Sequence, residues 1–404
     1  NKKLIIYFNN EIVCNLDMDF LHNGLPERTI SGSWNPKELA DPELKNNLSS
    51  KVLEKVLQHG NVCSKEPIIR QYDHEVQGGL ALNPYTGINF CGPNNASIQE
   101  VILGSNKGIA IAHGFNPVYN LIDPYHGAAS AIDEAVRNLV ATGVNPSHIA
   151  LIDNFITGVP DERVIGELDR MVQASYDVST AWKIPFVSGK DSLSSTYKYP
   201  DNRIINIPPV LCISAFAPVY DIKKTVTSDF KNPDNLVYIV GVTLPELGGS
   251  IYYDIFNTLG ESVPKVNIKQ ALIIFKRIHK IISNRLAISC HDISEGGLAV
   301  TLSEMCFGGD CGVEINIDLI PKALEMKQYD KILFSESCSR FILEVQSDKR
   351  KKVEQILNGI PYACIGKVLK EKKLTFKAGK KNILKSDIQK LKKAWQKPMR
   401  EVFE

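Results

Sequence analysis

Ile184-Pro185-Phe186-Val187-Ser188-Gly189-Lys190-Asp191-Ser192-Leu193-Ser194 decides how this 404-residue chain is read. Its apolar start, Ile184 to Ser188, has the signature of a buried strand. The turn expected after Ser188 presents a glycine, a cation, a carboxylate and a hydroxyl in succession. A glycine lets backbone approach a ligand closely. A lysine beside a metal-holding aspartate suits a polyphosphate. The motif is not a Walker loop, because Ile184 stands where that loop needs its first glycine.

Outward from this stretch, strand and helix signals alternate. Upstream, Lys107 to Ala112 reads as a strand. Asp123-Pro124 starts a helix that runs through Ala141 and stops at Gly143. Ile149 to Asp153 reads as a buried strand ending in a carboxylate, and Asp161 to Trp182 as an amphipathic helix with Val164, Leu168, Met171 and Val172 on one stripe. Asn206 to Pro218 is another apolar strand. A charged break at 221–235 precedes a second block: strand 236–243, a Gly248-Gly249 turn, helix 267–284, strand 286–289, and strands near 313–317 and 340–345. Such alternation predicts an α/β fold with α+β layers. The expected division is a leading segment and connector at 1–60, one α/β domain at 61–220 and a second at 221–404.

Apolar content of 44% with 23% charged residues is ordinary globular composition. No stretch reaches the roughly 18 apolar residues of a spanning helix, so no membrane partner is expected. Nine scattered cysteines, none in a Cys-x-x-Cys pair, predict reduced thiols in a cytoplasmic setting. Cys306 and Cys311 are expected to be buried or loop residues, not zinc ligands. Net charge is +2, but from Asp348 onward 17 Lys and Arg face 6 Asp and Glu, giving +11 there and −9 elsewhere. Few aromatics interleave with these lysines, so the basic end reads as a solvated face and no nucleic-acid partner is expected.

Several polar groups stand where chemistry would need them. Glu134 and Asn138, spaced i, i+4, share a helix face, and carboxylate and amide oxygens suit magnesium. They equally form an ordinary surface pair, with Asp133 and Arg137 close by. Asp153 ends its strand where ligands gather in α/β folds, or serves as a turn cap. Asp191 has the same placement one strand later. His291-Asp-Ile-Ser-Glu-Gly-Gly297 reads as a strand-to-helix turn whose free N–H groups favour an anion, or as a capping box on Ser294. Arg70-Gln-Tyr-Asp-His-Glu-Val-Gln-Gly78 is a dense polar run without metal or triad spacing. Glu336 and Arg340 are expected near each other, at a site rim or as a salt-bridged edge.

Six segments in order resemble phosphoribosylformylglycinamidine synthase, and more narrowly its second half: residues 70–78, Asp123-Pro-Tyr-His-Gly-Ala-Ala with 131–138, Leu151-Ile-Asp-Asn154, Gly189-Lys-Asp-Ser-Leu193, Leu244-Pro-Glu-Leu-Gly-Gly249 and His291-Asp-Ile-Ser-Glu-Gly-Gly-Leu298. The resemblance implies a two-domain unit of the aminoimidazole ribonucleotide synthetase type. Its first domain would contribute strands to a central barrel, and a pseudo-twofold would relate it to a first half or second copy. It implies ATP-dependent conversion of formylglycinamide ribonucleotide to the amidine in purine biosynthesis, with ammonia from a glutaminase partner. It implies nucleotide contacts at Asp153, Gly189 and Ser192, and Glu134, Asn138 and Asp191 as magnesium ligands on bound ATP or ADP. Departures are Lys190 in place of a short-form asparagine ligand, no aspartate in Ala112-His-Gly-Phe-Asn116, and Cys338 where the first half has a glutamine. The catalytic histidine of the first half has no counterpart, so no catalytic residue is assigned. A non-catalytic half that holds the barrel and docks partners is the alternative expectation.

Overall fold

Unbroken apolar runs and alternating ones separate the two sheets of this protein. The computed structural model describes residues 2–27, 29–45, 48–71 and 74–403. The first sheet has six strands in the order Leu80–Leu82, Ser97–Glu100, Gly108–Phe115, Val210–Val219, Ala150–Ile156 and Phe186–Ser192. All neighbours are antiparallel except the last pair, which is parallel and joined through the helix Glu162–Trp182. Gly108–Phe115 alternates buried and exposed residues along its whole length. Its inner positions meet the helix Pro124–Ala141, while Ile109, Ile111 and Phe115 are exposed on the other face. A sheet covered on one side gives this period-2 pattern.

The second sheet has seven strands in the order Ser289–Asp292, Phe341–Val345, Leu236–Val240, Tyr362–Leu369, Gly312–Asn316, Lys373–Ala378 and Lys381–Asp387. Phe341–Val345 is buried at every position, and Leu236–Val240 at all but its first residue. Both faces of these two strands are covered. Tyr238, Val240, Phe341 and Leu343 join the core beneath Pro124–Ala141 and the helix Ile268–Ser283, while Val237, Ile239 and Ile342 join a second core around the helix Gly297–Gly309. The first of these cores is continuous between the two sheets. Trp182 reaches across it, donating from Nε1 to the Ile268 carbonyl at 2.7 Å and packing edge-on to Phe275.

One expectation is corrected here. Gly189 to Ser192 is not a turn after a strand: the strand runs Phe186–Ser192, and its polar residues pair in parallel with Asp153 to Ile156. Backbone pairing extends past the point where the apolar run stops, because an edge strand needs only one neighbour. No closed barrel occurs among the described residues: the six-stranded sheet is open, with Leu80–Leu82 and Phe186–Ser192 at its two edges.

The Pro124–Ala141 helix is capped as expected, with Asp123 accepting from the Tyr125 and His126 N–H groups. It lies so close to the first sheet that a Cβ on Gly114 would sit 2.0 Å from the Ala131 carbonyl oxygen. Backbone cannot yield as a side chain would, so Gly114→Val is expected to displace the helix. Overpacking of this kind costs on the order of 1–3 kcal/mol. Urea unfolding of the variant should show that loss, and an unchanged midpoint would mean that the helix has room to move.

Candidate functional site

Close helix–sheet approach at Gly114 fixes where the polar face of Pro124–Ala141 points. Glu134 Oε2 accepts from the Phe115 N–H and from Asn116 Nδ2, both at 2.9 Å. Asn138 Nδ2 donates to the His113 carbonyl at 3.3 Å. The same helix face reaches the second domain. Arg137 is buried, bridging Asp133 on its own helix and Asp292 at the end of Ser289–Asp292, where Nε lies 3.0 Å from Oδ2. Asp133 also accepts from the Ser339 N–H at 3.0 Å and from the Ser339 hydroxyl. Asn95 completes the seam, donating from Nδ2 to Asn138 Oδ1 at 2.9 Å and to Asp292 Oδ1 at 2.8 Å.

The His291-to-Gly297 motif forms the opposite wall. It is a strand-to-helix turn, but Ser294 is not the cap: Gly296, at φ 74°, precedes the helix without a side-chain cap. The Gly296 N–H is already taken by Glu336 Oε1 at 2.7 Å. Glu336 also accepts from the Ile251 N–H at 3.0 Å and from the buried Tyr119 hydroxyl. The expected Glu336–Arg340 edge is therefore replaced by two separate jobs. Arg340 is fully buried and donates to the Ser335 and Ser337 carbonyls and to Thr243 Oγ1, holding the 335–340 loop. His291 Nε2 lies 3.2 Å from Glu304 Oε2, and its Nδ1 3.3 Å from Asp292 Oδ1.

Acidic groups crowd this seam. Burial, with Glu295 and Asp292 adding repulsion against the opposing pull of Arg137, holds the Glu134 carboxyl up at about 8. Burial and Glu336 push Glu295 to about 7. Burial outweighs the hydrogen bonds to Glu336, which also sits at about 7. Asp292 goes the other way, to about 2, because Arg137 and His291 overcome its burial. Asp292 and Glu304 overcome burial at His291 in turn and hold it at about 9.

Beside the seam lies a cleft of ≈ 570 Å³, within the usual range for small-molecule sites. Lys65, Asn61, Asn95, His113 and Glu304 supply its polar groups, and Tyr85 and Trp395 part of its apolar wall. The last helix, Ile388–Phe403, holds that wall: Trp395 Nε1 donates to the Val62 carbonyl at 2.8 Å, and its own carbonyl accepts from the Ser64 N–H at 3.0 Å.

The structure thus gathers Glu134 and Asn138 with Asn95, Asp292, Glu295 and Glu336. It gathers Asp153, Gly189 and Asp191 separately. Gly189 faces Asp153 so closely that a Cβ there would sit 2.1 Å from Asp153 Oδ1. Burial and the neighbouring Asp191 raise the Asp153 carboxyl. Ser192 takes a 3.1 Å contact from Lys190 Nζ through its hydroxyl. Three strand spacings separate this edge from Glu134's anchor at Phe115, ~14 Å along the sheet. Glu134, Asn138 and Asp191 therefore do not surround one point. Among the described residues, no three His, Cys, Asp or Glu side chains are assembled as a metal shell. Tyr72 and Asp73 of the 70–78 run lie outside the described residues.

Asn95 and Tyr119 stand outside every sequence motif singled out above. Asp133 and Arg137 carried a signal, an opposite-charge i, i+4 pair inside an alanine-rich helix, which would equally fit a surface.

The fold and seam define a class: a two-domain α/β unit of the aminoimidazole ribonucleotide synthase-related type. Residues 64–218 match the FGAR-AT PurM_N-like domain, and residues 232–379 the C-terminal domain of AIR synthase related proteins. The chain belongs to the PurL family of phosphoribosylformylglycinamidine synthase. It is 32% identical to the PurL subunit of Thermococcus sibiricus over 96% of its own length and 52% of that protein. It is 30% identical to that of Methanocaldococcus jannaschii over 98% and 52%. The chain thus spans about half the length of these relatives. Among solved structures, Thermotoga maritima PurL complexed with FGAR shares the fold with a TM-score of 0.66 at 16% identity, covering 85% of this chain and 53% of that one. The ADP complex of the same protein gives 0.65 at 18% identity, covering 87% and 52%.

The crowded acids set a pH dependence. Glu134, Glu295 and Glu336 keep their protons above the ordinary 4.5, and His291 above the ordinary 6.5. From about pH 4.5 to about 9 the folded chain binds more protons than the unfolded one, so stability falls as pH rises. Asp292 acts oppositely, and its contribution is lost as pH falls from 3.8 towards 2. Melting temperatures across this range should decline with pH, and less steeply for Glu336→Gln. Equal slopes for the two proteins would show that Glu336 does not titrate in that window.

Proposed function

We propose that this chain acts as the second half of the synthase. It would supply a magnesium–nucleotide site to the ATP-dependent conversion of formylglycinamide ribonucleotide to the amidine, with ammonia delivered by a glutaminase partner. What carries this reading is the acid-lined seam, set between two sheets of the PurL family fold and opening on a cleft of nucleotide size. ATP, ADP and FGAR are named with the Thermotoga protein, and a PurLQS assembly is known from the same organism. Comparable partners are proposed here, in the cytoplasm.

The donors fit magnesium in kind: carboxylate and amide oxygens are its usual ligands. Carboxyls close enough to raise one another's pKa also gain from a divalent cation. Glu134 and Asn138 would hold one ion, and Asp191 beside Asp153 another, with Gly189 and Ser192 against the nucleotide. Bound magnesium would neutralise phosphate charge. This chain's residues would orient the phosphates, keep the seam rigid through Arg137 and screen it from water.

The barrel belongs to the same proposal. Ile109, Ile111 and Phe115 are exposed side by side on the uncovered face of the first sheet. The matching face of a first half, or of a second copy, would close over them. A second reading keeps only this scaffold role, favoured by Lys190 beside Asp191 and by the separation of Asp191 from Glu134.

Calorimetric titration with Mg-ADP tests the choice. The isolated chain should bind it without forming product, and Asn138→Ala and Asp191→Ala should each weaken binding about tenfold or more. Absence of heat with the unaltered chain would leave the scaffold reading. Turnover by the lone chain would overturn the assignment to half an enzyme.

A further inference from the structure

The chain contains one hairpin twice. Lys3–Phe8 pairs with Glu11–Asp17 and leads into the helix Met18–Asn23. Lys373–Ala378 pairs with Lys381–Asp387 and leads into Ile388–Phe403. Every boundary up to the helix start is offset by 370 positions. The registers coincide, from Lys3 opposite Asp17 and Lys373 opposite Asp387 onward. The register shift falls at Ile6/Tyr7 in one and Phe376/Lys377 in the other, again 370 apart. The helix is tied back in the same way: the Met18 N–H donates to the Lys2 carbonyl at 2.9 Å, and the Ile388 N–H to the Lys372 carbonyl at 3.1 Å.

What differs is cover. The second copy sits in the seven-stranded sheet, its first strand lying parallel to Gly312–Asn316 with Leu374 opposite Val313 and Phe376 opposite Ile315. Leu374, Phe376 and Leu391 are each 0% exposed. The first copy is a two-stranded sheet by itself. Its equivalents stay apolar yet are bare: Leu4 is 42%, Ile6 47% and Leu21 42% exposed. A lone hairpin is marginal in water, and an edge strand with unpaired backbone groups invites another strand.

We propose that Lys3–Asp17 is the terminal hairpin of another sheet built like this chain's second sheet. The free edge of Lys3–Phe8 receives a parallel strand equivalent to Gly312–Asn316. Leu4, Ile6 and Leu21 fill that partner domain's core as Leu374, Phe376 and Leu391 fill this one. The occupant is a C-terminal-type synthetase domain that lacks its own last hairpin. A second copy of this chain does not qualify, because Lys373–Asp387 already holds that place. This surface is separate from the bare face of the first sheet, and the inference does not rest on nucleotide binding.

Grafting tests it within the full chain. Residues 373–387 are replaced by the sequence of residues 3–17, and thermal unfolding and hydrogen exchange are measured. The graft should melt within about 5 °C of the parent. Slow exchange should persist in the grafted first strand and in Gly312–Asn316. The same graft carrying Ile6→Asp in the transplanted segment should lose that protection. A graft as unprotected as its aspartate version would overturn the proposal, as would equal melting of the two grafts, since either shows that the hairpin does not fit such a sheet.

Discussion

A guanidinium buried between two carboxylates holds this protein's two domains in register. Arg137 leaves one helix face to join Asp133, on its own helix, with Asp292, at the end of a strand 155 positions away. Such a bridge is costly to assemble and more costly to break singly, because either half left alone is an uncompensated charge in a dry seam. The geometry follows from that. Asp292 brings the His291-to-Gly297 turn against Pro124–Ala141, Asn95 spans the remaining gap, and Glu134 and Asn138 come to face Glu295 and Glu336. The pKa pattern has the same origin. The Arg137 cation helps keep Asp292 low, while burial first and mutual repulsion second hold Glu134, Glu295 and Glu336 up.

Much of the architecture was legible because local signals and tertiary roles agree. Asp123-Pro124 predicted a helix start and is one. The strand expected at 236–243 occurs over Leu236–Val240, and both of its faces are covered. The Gly189-to-Ser192 segment was misplaced because its polar residues look like a turn. Only the neighbouring strand, 36 residues upstream, shows that they complete a ladder. The site was less legible still. Glu134 and Asn138 stood out by spacing, yet their seam is made with Asn95 and with the 291–297 turn. Spacing along one helix cannot report what faces it from another domain. Arg340 shows the same limit: its sequence neighbour Glu336 was the obvious partner, and burial directed it to backbone carbonyls instead.

Two surfaces show how unevenly the chain satisfies itself. In the second sheet Leu236–Val240 and Phe341–Val345 are covered on both faces and read as near-continuous apolar runs. The first sheet and the leading hairpin each carry apolar side chains into solvent. Both are paired strand to strand despite register shifts at Ile6/Tyr7 in the hairpin and at Leu80/Leu82 and Leu151/Ile152 in the sheet.

The Trp395 anchor bears on the order in which the site is completed during synthesis. The residue that pins the cleft wall lies 333 positions downstream of the carbonyl it holds. While a ribosome is still translating the last helix, the segment from Asn61 to Lys65 lacks its clamp, although both domains already have most of their cores. The rim from Asn61 to Lys65 therefore gains this clamp only after Ile388–Phe403 has been made and docked.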